Sequence, residues 1–189
     1  MEHKLSTPVS KDAVLSLSAG DTVFLSGTIY AMRDKAVKHI IEHGAPKGVE
    51  LEAAAIYHCG PIIKGKDVVS AGPTTSSRMN ENTVKLLQKS GISLIIGKGG
   101  MNSAVLDAMK GKCAYLSATG GCGASLAAKL KLKGVFLEEL GMAEALWVLE
   151  AKEFGPLIVA MDSKGKSMYA DVEERVGMAL EKAIVTSSR

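Results

Sequence analysis

Apolar positions along the chain switch repeatedly between strand-like runs and helical spacing. In "DTVFLSGTIYAMRDKAVKHIIEHGA" a β-branched and aromatic run comes first, a break is expected at Ser26-Gly27, and helical spacing follows. Ala36, Val37, Ile40 and Ile41 then share one side, His43 lies in the last turn, and Gly44 stands where a helix ends. The unit reads as strand, loop, helix. "GVELEAAAIYHCGP" is apolar enough for a strand ending at Gly60-Pro61, and "DVVSAGP" for a shorter one ending at Gly72-Pro73. Beyond it Met79, Thr83, Leu86 and Leu87 keep helical spacing as far as Gly91. "ISLIIGKGG" is a buried strand running into a glycine loop, after which Met101, Ala104, Val105, Ala108 and Met109 follow an amphipathic helical pattern. "CAYLSATGGCGASLAAKL" repeats strand, glycine loop and short helix. The C-terminal third, "ALWVLEAKEFGPLIVAMDSKGKSMY", predicts antiparallel hairpins with turns at Gly155-Pro156 and Lys164-Gly165. A last helix with Val172, Val176, Ala179, Leu180 and Ala183 on one face closes the chain. The mixture predicts an α/β or α+β domain in which helices cover a core sheet. There is no internal repeat and no low-complexity linker.

Composition narrows the class of protein without naming a chemistry. The 189 residues are 47% hydrophobic and 23% charged, with a formal net charge of +3. This suits one well-packed domain spanning residues 1–189. Lys and Arg are interleaved with Asp and Glu, and aromatics make up 4%, so no basic stripe with stacking aromatics points to nucleic acid. No run of about 18 apolar residues suggests a membrane span. "MEHKLSTPVS" lacks the charged-then-apolar pattern of a signal peptide, so a cytoplasmic location is expected. The three cysteines, Cys59, Cys113 and Cys122, are widely spaced and form no C-x-x-C pair, which predicts reduced, packed thiols.

Three loops follow predicted strands: "SGTIYAMR" (26–33), "AGPTTSSR" (71–78) and "GKGGMNS" (97–103). Ligands of open α/β sheets collect at the carboxyl ends of strands, where helix N-termini also offer amide hydrogens to anions. Arg33, Arg78 and Lys98 lie at such ends beside several hydroxyls. Three cations there suit a small, multiply charged acid, because Arg grips a carboxylate through two parallel hydrogen bonds. Taken alone, a Gly-Lys-Gly-Gly loop is more often a tight turn with a solvated Lys, and an Arg at a helix start is usually surface charge. Nucleotide motifs are absent: "GISLIIGKGG" has Gly99 where a phosphate loop needs Ser or Thr, and "GGCGAS" departs from G-x-G-x-x-G. His58 and Cys59 are adjacent on a strand and so face opposite ways, which argues against a nucleophile pair. Cys122 sits in a glycine loop suited to close packing. Asp162, Asp171 and Glu144 read as turn, cap and surface carboxylates.

Six phrases taken together resemble the β subunit, equivalently the C-terminal domain, of class I fumarate hydratases and the similar L(+)-tartrate dehydratases. They are "LSGTIYAMRD", "GPIIKG", "SAGPTTSSRM", "IIGKGGM", "SATGG" and "LGMAEALWVLEAKEFGPLIVAMDSKG", in family order across residues 25–165. The resemblance implies a swivelling β/β/α domain, a mixed sheet with covering helices, docked on a separate α subunit that carries a [4Fe–4S] cluster. This chain would then bind no metal and form a heterotetramer, or self-associate when alone. The implied substrate contacts are Arg33, Thr74, Arg78 and Lys98, with Thr74 as the proposed catalytic base. The implied reaction is reversible hydration of fumarate to L-malate, active only with the α subunit. Tartrate dehydration is the alternative, and a non-catalytic dicarboxylate-binding domain a more distant one. The chain departs from the family's usual R-D-x-A-H by carrying Val37 at the last position.

Overall fold

The computed structural model describes the backbone of residues 1–187 and the side chains of residues 1–180. In chain order the elements are β1 (Glu2–Ser6), α1 (Lys11–Ser16), β2 (Thr22–Met32), α2 (Asp34–His43), β3 (Ala55–His58), β4 (Ile62–Lys64) and β5 (Asp67–Ser70). There follow α3 (Asn80–Lys89), β6 (Leu94–Gly97), α4 (Ser103–Met109), β7 (Ala114–Ser117), α5 (Gly123–Ala127), β8 (Leu130–Phe136), β9 (Leu146–Met161) and α6 (Met168–Ser187). A 3-10 turn at Ser76–Met79 leads into α3.

Seven strands pair in the order β1-β2-β3-β6-β7-β9-β8, and β9 also pairs with β2. The ladder β2-β3-β6-β7-β9 therefore closes on itself. Its β1, β2, β3, β6 and β7 run parallel, and the long β9 returns antiparallel. Parallel neighbours need crossovers, and α2, α3 and α4 supply those between β2, β3, β6 and β7. Strand residues alternate between two apolar clusters. Ala55, Tyr57, Leu94, Ile96 and Leu116 enter one, with Phe154 and Val159. Ile56, Ile95 and Tyr115 enter the other, where Val37, Leu86 and Val105 of α2, α3 and α4 cover them. Full burial of one such aliphatic side chain contributes about 1.5–3 kcal/mol, so the near-continuous apolar runs of β3, β6 and β7 reflect strands covered on both faces.

Two turns expected from glycine lie inside strands. Ser26-Gly27 falls within β2, where Gly27 has φ 94 and the pairing with β9 shifts register between Leu25 and Gly27. A side chain at Gly27 would place its Cβ 2.5 Å from Thr7 Oγ1, so the glycine marks a bulge under a close chain crossing. The loop expected at 26–33 is consequently strand as far as Met32. Gly155-Pro156 likewise does not end a hairpin. It occupies the register shift between the pairs Leu25–Phe154 and Val23–Leu157, and β9 runs through it for 16 residues. Partners on both edges of β2 and β9 carry these strands past residues that would otherwise break them. The turn at Lys164-Gly165 does form: Gly165 N donates to Asp162 O at 3.2 Å.

The apolar face of the last helix is uncovered. Val172, Val176 and Leu180 are 53%, 60% and 60% exposed. Ala183, assigned to the same face, has a side chain outside the described residues.

Candidate functional site

The parallel strands end together: β2 at Met32, β3 at His58, β6 at Gly97 and β7 at Ser117. Arg33 and Lys98 follow two of these ends directly. The segment 73–76 threads between the ends of β3 and β6, pairing like a strand through Cys59–Pro73 and Thr75–Lys98 bridges. Thr74 N donates to His58 O at 2.6 Å, Lys98 N donates to Thr74 O at 3.2 Å, and Ser76 N donates to Lys98 O at 3.0 Å. Thr74 and Lys98 are thus locked side by side through their main chains. Both side chains are half-buried, while Thr75 and Ser77 are exposed and Ser76 is fully buried. The run of four hydroxyls therefore divides between the surface and the interior.

The two arginines meet at Asp34. Arg78 Nη2 donates to Asp34 Oδ2 at 3.2 Å, and Arg33 Nε lies 4.0 Å from the same oxygen. Arg33 also places Nη2 3.4 Å from Glu144 Oε1, and its Nε is buried without a hydrogen-bond partner. Glu144 accepts from Lys35 N at 3.0 Å, occupying a free amide at the start of α2. It is thus more than the surface carboxylate expected. Gly60 lets this corner close, because a Cβ there would stand 2.9 Å from Arg33 Cδ and 2.5 Å from Ala143 O. The sequence reading does not single out Asp34, and it takes Glu144 for a surface carboxylate only. The only available signal is that Asp34 directly follows Arg33 in the first turn of a helix, where a carboxylate is favoured.

Beneath Thr74 and Lys98 lies a buried polar row. His58, 2% exposed, has Nδ1 2.9 Å from Ser76 Oγ, and Tyr115 Oη is 3.0 Å from that oxygen and 2.9 Å from Gly99 O. Burial pushes the imidazole down to about 4, opposed by the charge of Asp34. Burial also pushes the Cys59 thiol up to about 12. A neutral imidazole beside a protonated thiol gives no nucleophile pair, as expected from their opposite facing. Asp162 accepts from Lys164 N and Lys166 N, each at 3.0 Å, as a turn carboxylate should. Asp171 lies inside the first turn of α6, and Ser167 Oγ supplies the capping acceptor instead, for Ala170 N at 3.4 Å.

The thiols do not suit an iron–sulfur cluster on this chain. Cys59 and Cys113 are fully buried in different apolar clusters, and burial raises the Cys113 thiol to about 12 as well. Among the described residues no three His, Cys, Asp or Glu side chains group to hold a metal ion. Beside the site a groove of about 530 Å³ runs between Ser77, Asn80, Gly100, Met101 and Tyr169. No helix among the described residues is long and apolar enough to cross a membrane.

Fold and site define the class: a mixed α/β protein whose parallel strand ends gather cations and hydroxyls. The Fumarase C-terminus family model matches residues 1–172. Over 194 aligned positions the chain is 43% identical to the putative L(+)-tartrate dehydratase subunit beta of Methanocaldococcus jannaschii, covering 97% of this chain and 99% of that protein. It is 35% identical over 177 positions to the L(+)-tartrate dehydratase subunit beta of Escherichia coli K12, covering 90% and 88%. It is 38% identical to the putative fumarate hydratase class I of Geobacillus stearothermophilus, covering 90% of this chain and 34% of that longer protein. The chain belongs to the Fumarase C-terminus family.

Proposed function

We propose that this chain, as one domain over residues 1–189, is the β subunit of a heteromeric hydro-lyase that adds water to, or removes it from, a small dicarboxylate. The observation that carries the reading is the locking of Thr74 against Lys98 beside an Arg33–Asp34–Arg78 corner, all at one end of the parallel strands. Names of relatives support the reaction type. In this reading Arg33, Arg78 and Lys98 hold the substrate carboxylates. Proton abstraction beside a carboxylate drives negative charge onto its oxygens, and preformed cations favour that state over the ground state. The Thr74 hydroxyl stands at the carbon that loses the proton. A hydroxyl is too weak a base to keep that proton, so it passes on to a carboxylate of the partner. The [4Fe–4S] cluster belongs to the α subunit, since the thiols here suit none. Half-exposed site residues fit a domain that swivels against that subunit, admitting substrate and then excluding water.

Fumarate and L-malate are the first substrate reading. Asp34 and Glu144, the acids beside Arg33, are already engaged, leaving no unpaired carboxylate beside Arg33 for a second hydroxyl. L(+)-tartrate is the second, favoured by the names of the Methanocaldococcus and Escherichia relatives. A side-by-side assay of the complex, assembled with its α subunit without oxygen, distinguishes them. The expected result is higher kcat/KM for L-malate than for L(+)-tartrate and no turnover by the isolated chain. Faster tartrate dehydration moves the assignment to tartrate, and turnover by the chain alone rejects the two-subunit site.

A further inference from the structure

We infer that His58, Ser76 and Tyr115 form a directed hydrogen-bond chain whose task is to hold Thr74 and Lys98 in place, making them positioning residues for the active site. The direction follows from chemistry. Gly99 O can only accept, so the single phenolic proton of Tyr115 goes to it. Tyr115 Oη must then accept from the Ser76 hydroxyl, 3.0 Å away. Ser76 Oγ, having donated its proton, accepts from His58 Nδ1–H at 2.9 Å. Only this order satisfies all three contacts, and it assigns the proton of the neutral imidazole to Nδ1.

The chain is built in and not incidental. Ser76 and Tyr115 are 0% exposed and His58 is 2% exposed, and a buried polar group left unpaired is costly. Each end grips the site. His58 holds the 73–76 segment twice, by its ring at Ser76 and by its carbonyl at Thr74 N. Tyr115 holds Gly99, the residue after Lys98. Gly97 makes room for the chain, because a Cβ there would meet Ser76 Oγ at 2.0 Å. None of the three side chains is required to touch substrate for this role. Their effect on turnover rests on the hydro-lyase reading above, whereas their hold on the two loops does not.

The test therefore has two arms. Backbone amide hydrogen exchange on the full chain reads the loops directly. In Tyr115→Phe, which deletes one oxygen, and in His58→Leu, exchange at the Thr74 and Lys98 amides should rise about tenfold or more, with the β9 amides unchanged. His58→Asn keeps a donor near the Nδ1 position and should return exchange most of the way to wild type. In the assembled complex the same variants should lower kcat about tenfold or more with a clearly smaller rise in KM, since Arg33 and Arg78 keep their carboxylate grips and only Lys98 loosens. Unchanged exchange in Tyr115→Phe, or an Asn variant no better than Leu, would overturn the inference. Loss of stability with unaltered kcat and KM would also overturn it, leaving the row a core network only. If the wild-type complex turned over neither L-malate nor L(+)-tartrate, the functional reading would fail, and the exchange arm would still decide this one.

Discussion

Arg78 carries its side chain 53% exposed and ends on Asp34, a half-buried carboxylate with its side chain 38% exposed. An exposed pair of this kind contributes about 0–1 kcal/mol to folding, so its purpose is not stability. Arg78→Lys should leave the thermal midpoint of the chain unchanged, yet lower kcat/KM of the assembled complex at least about thirtyfold. That loss corresponds to about 2 kcal/mol for a bidentate grip reduced to a point charge. Equal kcat/KM for the two proteins would return Arg78 to ordinary surface charge. At this scale the sequence is informative wherever a residue type is unusual for its place, as with Lys98 between glycines. It is silent on Asp34 and reads Glu144 as surface charge only, because a carboxylate in a first helical turn, or before a strand, is unremarkable until folding brings an arginine to it.

Among the elements, glycines separate what pattern can and cannot show. Gly44 ends α2 where helical spacing stops, as local chemistry requires. Gly27 and Gly155 stop nothing, because β2 and β9 pair with each other through both bulges. Gly97 has no left-handed backbone to mark it, yet the site depends on its lack of a side chain. Gly97→Ala should drive its methyl into Ser76, displace the 73–76 segment from β6, and destabilise the chain by about 1–3 kcal/mol as overpacking does. Gly134 in β8 has nothing within 4 Å of an added Cβ, so Gly134→Ala should change stability by less than about 0.5 kcal/mol. Urea unfolding of the two variants checks the contrast. A neutral Gly97→Ala would mean that the close approach to Ser76 is dispensable.

On the scale of the whole molecule, burial of His58 ties folding to pH. Its imidazole falls from 6.5 to about 4 in the folded chain, chiefly through burial, so between these values the unfolded chain binds a proton that the folded chain does not. The stability linked to this group is complete above pH 6.5 and falls by up to about 3 kcal/mol as the pH drops toward 4. Urea unfolding at pH 7 and at pH 4.5 should reveal the loss, and His58→Asn should flatten the dependence. An equally steep dependence in that variant would assign it to other groups. Helical spacing, apolar strand runs and the order of the loops were determined by the sequence itself, because each depends on residues a few positions apart. Arg33, Arg78 and Lys98 stand out in that local record as cations at strand ends, whereas Thr74 is picked out only by the resemblance of its loop to the family. Closure of the ladder through β2 and β9, the meeting of Arg33 and Arg78 at Asp34, and the buried row beneath Thr74 were decided only by the tertiary structure. Each joins groups far apart in the chain, and a distant hydrogen bond or bulge leaves no periodicity in the residues that make it.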